Sequence, residues 1–259
     1  MNKVIVHGHC SARYRWPTWP DFLHHYSEET QLINLAKPGI SNETIARDVV
    51  NAVNKYKNIS HIYVMWGAPF RYEVFQTANC PGPNTKDMWT MWDEDFKWTV
   101  TYNGKHGTDT VPGVDRIKTL ESILYTQLFL KKHNVQSTMM IYDTRTLPIN
   151  IEMTKPETAL RKEIDWSMFK FYNGQYGLLD FANDLYPEHF PDHDEHKGDR
   201  HLHPLPFVHY KWTKDVIFAS EKKLAPQDEY KLQLWKTLDI KDDKWKDEAT
   251  RHREWENDA

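Results

Sequence analysis

The feature that most constrains the fold of this 259-residue chain is a set of short apolar runs that alternate with helical segments. The run Ile59–Trp66 is largely apolar, which favours a strand buried on both faces of a parallel sheet. Three further strands are predicted, at Val4–His7, Gln31–Ala36 and Val135–Tyr142. Strands that alternate with helices indicate an α/β fold, with a central parallel sheet flanked by helices.

Three helices are predicted between and after these strands. Ser41 has a side chain suited to an N-cap, and apolar residues follow it at helical spacing to about Tyr56. The segment 115–133 has the clearest helical periodicity, with leucine and isoleucine residues on or near one face. A final helix is predicted over 206–219.

Residues 76–113 interrupt the alternation of strands and helices. This segment is rich in proline and glycine and contains three tryptophans. A structureless loop of this length would be unusual in a compact domain, so the segment is predicted to be an aromatic-rich inserted lobe. A hairpin over Lys97–Tyr102 that turns at Asn103-Gly104 is one interpretation of its sequence.

The remaining segments complete the predicted domain organisation. Residues 144–198 read as irregular, with one helical patch at about 157–171. The segment 226–259 is charged and is predicted to be a peripheral tail. We therefore expect one domain over 1–225, with its insertion, followed by that tail.

Composition and charge exclude several classes of function. The formal net charge is −4 and the charges are mixed along the chain, so no basic field predicts nucleic-acid binding. No segment approaches the roughly 20 apolar residues of a membrane span, and the N-terminus lacks the apolar region of a signal peptide. Two cysteines, Cys10 and Cys80, are too few for a disulfide framework, which favours a reducing compartment. The many aromatic residues give weak support for a carbohydrate ligand, since core packing is their commoner use.

The first strand leads directly into two candidate nucleophiles. It ends on Gly8, and the following turn carries Cys10 and Ser11. Ligands of open α/β folds bind at the carboxyl ends of the strands, where free backbone N–H groups can also stabilise an oxyanion. A serine after a strand is nevertheless most often a simple turn or N-cap residue, so this turn alone does not establish a nucleophile.

Three short blocks of the sequence resemble those of SGNH (GDSL-type) hydrolases. Residues 8–20 resemble the first block, particularly in a bacteriophage branch whose nucleophile turn runs into a Trp-Pro segment. Residues 34–42 resemble the second block and residues 199–212 the last. The resemblance extends over about 3–75 and 114–220, and it implies a three-layer, flavodoxin-like fold with an acyl-transfer site.

The resemblance implies a catalytic triad of Ser11, His203 and Asp199. Ser11 is the nucleophile when it is aligned with the family's Gly-Cys-Ser variant, and Cys10 is the nucleophile in the alignment with Gly-Asp-Ser. The residues after Ser11 fit the first alignment better, so Ser11 is preferred. His203 stands directly before a proline, as the family's catalytic histidine does, and Asp199 lies one residue further from it than the family spacing. A pairing of Asp199 with His201 is the alternative.

The same resemblance suggests an oxyanion hole and two substrate-binding residues. The backbone N–H groups of Ser11 and Gly39 are the expected donors, with Asn42 or Arg71 as a third. The third family block normally supplies an asparagine, which is absent after Trp66. Trp66 and Arg71 are the candidate substrate-binding residues, although an arginine in this place is as often a surface or ion-paired residue.

The leading hypothesis from the sequence is a serine esterase or deacetylase that acts on a small-molecule or glycan acyl ester without a cofactor. One alternative is a weakly active or inactive phage structural or glycan-binding protein of the same fold. Another is a metal-dependent hydrolase, because histidines and carboxylates cluster between His189 and His209. Host cytoplasm or virion is the expected location, and the oligomeric state is left open.

Overall fold

A computed structural model of the protein describes most of the chain outside the C-terminal segment. It covers residues 2–14, 17–23, 30–69, 71–76, 88–92, 97–102, 114–148, 151–190 and 203–219. For the three segments between 71 and 102 it describes the backbone alone.

The central element is a parallel sheet of four strands. Its strands are β1 (Asn2–Gly8), β2 (Thr30–Asn34), β3 (Ile59–Trp66) and β7 (Ser137–Ile141), and they lie side by side in the order β2-β1-β3-β7. This is the strand order of flavodoxin-like, doubly wound sheets. The predicted α/β fold with a parallel sheet is therefore confirmed, and β3 has the predicted bounds.

Helices cover both faces of this sheet. One face carries α2 (Asn42–Lys55), α3 (Val114–Lys132) and α4 (Lys155–Glu163), and the other carries α1 (Trp19–Leu23), α5 (Leu178–Leu185) and α6 (Pro206–Trp212). Consecutive strand residues enter different cores, as Ile5 and Val6 of β1 illustrate. Burial on both faces explains why the strands read as apolar runs rather than as alternating sequences.

Local capping places two of the helices that cover the first face. The Ser41 side chain accepts a hydrogen bond from the Thr44 N–H, which confirms the predicted start of α2. Thr154 and Glu157 form a capping box at the start of α4.

Two features of the segment 144–198 differ from the prediction. The helical patch expected at 157–171 ends at Glu163 and is followed by a single 3₁₀ turn at Trp166–Met168. Helix α5 was not predicted. Its first turn is fixed by the Asp180 carboxylate, which accepts the Gly177 N–H at 2.9 Å, and a glycine at the N-cap gives little sequence signal.

Segments between residues 71 and 102 form a second, antiparallel sheet of three strands. These are β4 (Arg71–Gln76), β5 (Met88–Trp92) and β6 (Lys97–Tyr102), in the order β4-β6-β5. Strand β6 has the bounds of the predicted segment Lys97–Tyr102, and it pairs with β5, which precedes it in the chain. The turn predicted at residues 103–104 lies outside the described residues.

Within the described part of the chain, no helix combines the length and apolar character needed to cross a membrane. The segment 226–259, predicted to be a charged tail, lies outside the described residues.

Candidate active site

The topology of the sheet directs attention to the carboxyl ends of β1 and β3. The chain passes from β1 to β2 on one side and then crosses to β3 on the other side of β1. In doubly wound sheets a crevice opens where the direction of winding changes, and ligands bind there. The turn that follows β1, residues 8–12, therefore lies at the position where a site is expected.

This turn is fixed at both of its ends. The Ala12 N–H donates to the His9 carbonyl oxygen at 2.9 Å, which closes the turn. The Asn34 side chain, at the end of β2, donates to the Ala12 carbonyl oxygen at 2.9 Å and accepts from the Ala36 N–H at 3.0 Å. On its other side, the Gly8 carbonyl oxygen accepts from the Lys37 N–H at 3.2 Å.

The hydrogen bonds of Ser11 define the tautomer of His9. The Ser11 N–H points to His9 Nδ1 at 3.4 Å, and this contact favours the tautomer of His9 that carries its proton on Nε2. That Nε2–H donates to Ser11 Oγ at 3.2 Å, and the Ser11 hydroxyl in turn donates to Met65 Sδ at 3.0 Å. The hydroxyl proton of Ser11 is thus directed at a sulfur atom rather than at a base.

Burial separates the two candidate nucleophiles. Ser11 is 0% exposed and His9 1%, whereas Cys10 is partly exposed. The Cys10 Sγ lies 3.4 Å from His9 Nδ1, on the side of the ring that accepts hydrogen bonds. The thiol is thus partly exposed and lies beside a ring nitrogen, whereas the hydroxyl is buried and donates to Met65 Sδ.

Packing holds the His9 ring in place. The edge of the ring contacts the Tyr142 ring, with centroids 4.8 Å apart and planes at 85°. Gly67 lies against the Cδ2 side of the ring, and a Cβ at position 67 would be 2.9 Å from His9 Cδ2. Only a glycine therefore fits here without displacing the imidazole.

The last sequence block reaches the same end of the sheet. The His203 ring stacks on the Tyr14 ring, with centroids 4.1 Å apart and planes at 10°, and Tyr14 lies just after the turn. Asp199 and His201 lie outside the described residues. The hydrogen bonds of Ser11 Oγ to described residues go to His9 and Met65 and not to His203.

A second histidine, His209, contacts the loop that carries His203. His209 is 1% exposed, and its pKa is lowered to about 3, mainly by burial and also by the nearby His203, although a hydrogen bond to the Pro204 backbone acts to raise it. His209 is therefore neutral, and its contact with Pro204 helps to fix the backbone that carries His203.

The two predicted oxyanion donors outside the turn have different environments. Gly39 has a φ of +81°, and its N–H makes no hydrogen bond to another described residue. The Asn42 amide is 2% exposed and donates to the Gly67 carbonyl oxygen and to Thr119 Oγ1, both at 3.0 Å. Both of its protons are used, so an oxyanion role for Asn42 would require one of these bonds to break.

The two predicted substrate-binding residues do not present described side chains to a crevice. Trp66 is 0% exposed and belongs to the core between the sheet and helices α2 and α3. The Arg71 backbone lies at the start of β4, and its side chain lies outside the described part of the structure.

Most of the predicted histidine and carboxylate cluster, residues 191–202, lies outside the described residues. In the part of the chain that is described, no group of three His, Cys, Asp or Glu side chains is placed to hold a metal ion.

Four residues of this site were not assigned a role from the sequence: His9, Tyr14, Asn34 and Met65. The signal for His9 and Tyr14 is their position within three residues of the candidate nucleophiles. Asn34 and Met65 lie at or near the ends of their strands, β2 and β3, and only the sheet order brings them to the β1 turn.

No protein-family model and no curated protein matches the chain. Among solved structures, the chain is similar to a member of the lipolytic protein G-D-S-L family from Veillonella parvula, with 12% sequence identity and a TM-score of 0.40. The similarity covers 82% of this chain and 94% of that chain.

Proposed function

We propose that this protein is an acyl-ester hydrolase whose active site lies at the carboxyl ends of β1 and β3, with its nucleophile on the turn after β1. The position of this turn at the change of winding direction supports the proposal. Within the turn, His9 Nδ1 lies 3.4 Å from Cys10 Sγ, and the His203 ring stacks on Tyr14 just after the turn.

The observation that carries the proposal is the different burial of the two neighbouring candidate nucleophiles. The sequence favours Ser11, with Cys10 as the alternative. Because His9 Nε2 donates its proton to Ser11 Oγ, this nitrogen cannot act as a base for the hydroxyl, and Oγ is also fully buried. Cys10 is accessible and lies beside His9 Nδ1, so we assign the nucleophile to Cys10 and a supporting role to Ser11.

The first chemical step then proceeds as thiol acyl transfer. The Cys10 S–H proton passes to His9 Nδ1, and the sulfur attacks the acyl carbon to form a C–S bond. The negative charge develops on the former carbonyl oxygen, for which the Gly39 N–H is the proposed donor. The C–O bond breaks as the alcohol leaves with the proton from His9, and an acyl-thioester remains on Cys10.

The second step releases the acid. Water attacks the thioester carbon, a base accepts the water proton, the C–S bond breaks and the sulfur is reprotonated. We assign the base to His203, which stacks on Tyr14 beside the turn, and the orientation of His203 to Asp199. A small-molecule or glycan ester is the proposed substrate class, and a bacteriophage origin remains a prediction from the first sequence block.

Four variants and a chromogenic ester test this function. In turnover of p-nitrophenyl acetate, we expect Cys10→Ala to lose about 1,000-fold or more, since removal of a nucleophile has effects of this order. His203→Ala should lose about 100-fold. Ser11→Ala and Cys80→Ala, the matched serine and cysteine controls, should stay within about tenfold of the wild type.

Other outcomes of this experiment have defined meanings. Loss in Ser11→Ala with full activity in Cys10→Ala would assign the nucleophile to Ser11 and overturn our choice. The buried, fully engaged Ser11 also favours a second candidate function, a non-catalytic binding module of the same fold. Turnover by the wild type that is no faster than by Cys10→Ala and no faster than by Ser11→Ala would support that module instead.

A further inference from the structure

We infer that Asn42 is a positioning residue for the candidate active site, acting on Cys10 through Gly67 and His9. This inference rests on the proposed function, in which Cys10 is the nucleophile. It gives Asn42 a role different from the direct oxyanion donor that the sequence suggests.

The Asn42 side chain makes two hydrogen bonds to the backbone of Gly67. Asn42 Oδ1 accepts the Gly67 N–H at 2.8 Å, and Asn42 Nδ2 donates to the Gly67 carbonyl oxygen at 3.0 Å. The side-chain amide thus pairs with both polar groups of one residue, as a neighbouring strand would do. Because Asn42 is the first residue of α2 and Gly67 follows β3, the pair joins the helix to the end of the strand.

A hydrogen bond to helix α3 fixes the position of Asn42 itself. Its remaining amide proton donates to Thr119 Oγ1 at 3.0 Å, and Thr119 is 2% exposed on α3. All of these groups are buried, where a broken bond would leave a polar group without solvent. The position of Gly67 is therefore determined by two helices in addition to its own strand.

Gly67 in turn contacts the His9 ring. Gly67 lies so close to the His9 ring that a Cβ would approach Cδ2 to 2.9 Å. The backbone of Gly67 is thus one wall of the slot that orients the imidazole, and the Tyr142 ring is another. The orientation of this ring decides whether Nδ1 faces Cys10 Sγ, from which it is 3.4 Å away.

The test measures the reactivity of the Cys10 thiol as a function of pH. The full-length protein is alkylated with iodoacetamide between pH 5 and 9, and modification of Cys10 is quantified by peptide mass spectrometry, which separates it from Cys80. The variants are Asn42→Ala, Asn42→Asp and Gly67→Ala. Ser41→Ala is the matched control, because it weakens the same helix terminus without removing a bond to Gly67.

We expect Asn42→Ala to slow alkylation of Cys10 at neutral pH by about tenfold and to move its pH profile upward, since misplacement of a catalytic group has effects of this size or larger. Gly67→Ala should change the profile in the same direction. A double variant that combines Asn42→Ala with Gly67→Ala should differ little from either single variant, because both substitutions act on the same ring. Asn42→Asp keeps the acceptor but loses the donor, so it should give an intermediate profile. Ser41→Ala should keep the wild-type profile.

A wild-type profile in Asn42→Ala, or the same change in Asn42→Ala and Ser41→Ala, would overturn the inference. The readout does not need ester turnover, so the two proposals can fail separately. A changed alkylation profile in a protein without esterase activity would reject the proposed hydrolase while supporting the role of Asn42 in orienting His9.

Discussion

Two turns at the carboxyl edge of the same sheet are stabilised in chemically different ways. The turn after β1 is held by neutral groups: the His9 imidazole, the Asn34 amide and the Met65 sulfur. The turn after β7 is held by carboxylates. The buried Asp143 pairs with the Arg145 side chain, and Asp180 accepts the Thr144 N–H at 2.9 Å.

This difference shows how structural and reactive polar groups can lie side by side. The carboxylates near β7 have their oxygens occupied by backbone N–H groups and a guanidinium, which makes them firm anchors. The imidazole near β1 uses Nε2 to hold Ser11 and keeps Nδ1 next to an accessible thiol. In our proposal His9 Nδ1 takes up the Cys10 proton, whereas the carboxylates near β7 are engaged in structural hydrogen bonds.

The largest effect that tests this contrast is expected from Asp180→Ala. The variant loses the hydrogen bonds from the Gly177 and Thr144 backbone and from the Thr144 hydroxyl, and the free energy of unfolding should fall by about 3 kcal/mol. Urea denaturation measures this loss, with the exposed Glu163→Ala as the control. The rate of Cys10 alkylation in the folded protein should remain that of the wild type; a large fall would mean that the two turns are coupled.

The second test uses pH, because the loop that carries His203 is supported by a neutral histidine. Folded His209 has a pKa lowered to about 3, against 6.5 for the ordinary group. Above pH 6.5 its contribution to stability is fully present. As the pH falls from 6.5 towards 3, the unfolded chain binds a proton that the folded chain does not, so the free energy of unfolding decreases by up to about 1.4 kcal/mol per pH unit.

Denaturation of the wild type and of His209→Gln at pH 7, 6, 5 and 4 measures this contribution. The variant should show a shallower decline, whereas His133→Gln, which changes an exposed histidine, should decline as the wild type does. Equal slopes for the wild type and His209→Gln would show that His209 is protonated without cost in the folded state.

The smallest effect concerns the supporting role of Ser11. Met65→Leu keeps the volume of the side chain but removes the acceptor of the Ser11 hydroxyl, and it should cost about 1 kcal/mol. Ser11→Ala in the Met65→Leu background should then cost less than Ser11→Ala alone, since the orphaned hydroxyl is removed. Fully additive losses in this double-mutant cycle would mean that the two side chains do not stabilise each other.

The parts of the fold that local patterns determine could be predicted from the sequence. The apolar run of β3 and the Ser41 cap of α2 depend on short-range periodicity and on one side chain, and both are found as predicted. Helix α5 depends on a carboxylate and a glycine N-cap, which leave little pattern. Strand β6 has the predicted bounds, but its pairing with β5 and β4 depends on contacts between segments separated along the chain, which local patterns do not reveal.

The sequence predicts which turn carries the candidate nucleophiles, but it does not predict the contacts of their side chains. The sequence places Cys10 and Ser11 together after β1 and gives no reason for one of them to be buried. The burial of Ser11 depends on its contacts with the His9 ring and the Met65 sulfur, and Met65 reaches the turn only through the sheet order. Asn42 likewise reads as a possible oxyanion donor until Gly67 and Thr119 are seen to occupy its amide.

In our proposal Cys10 forms a covalent bond with the acyl group, and Ser11 supports His9. The most direct measurement is to mix the protein with p-nitrophenyl acetate, quench in acid during the first turnover and locate the acetyl group by tandem mass spectrometry. We expect an acetyl-thioester on Cys10 that is cleaved by neutral hydroxylamine and that accumulates in His203→Ala. An acetyl group on the Ser11 oxygen, with Cys10 unmodified, would contradict it.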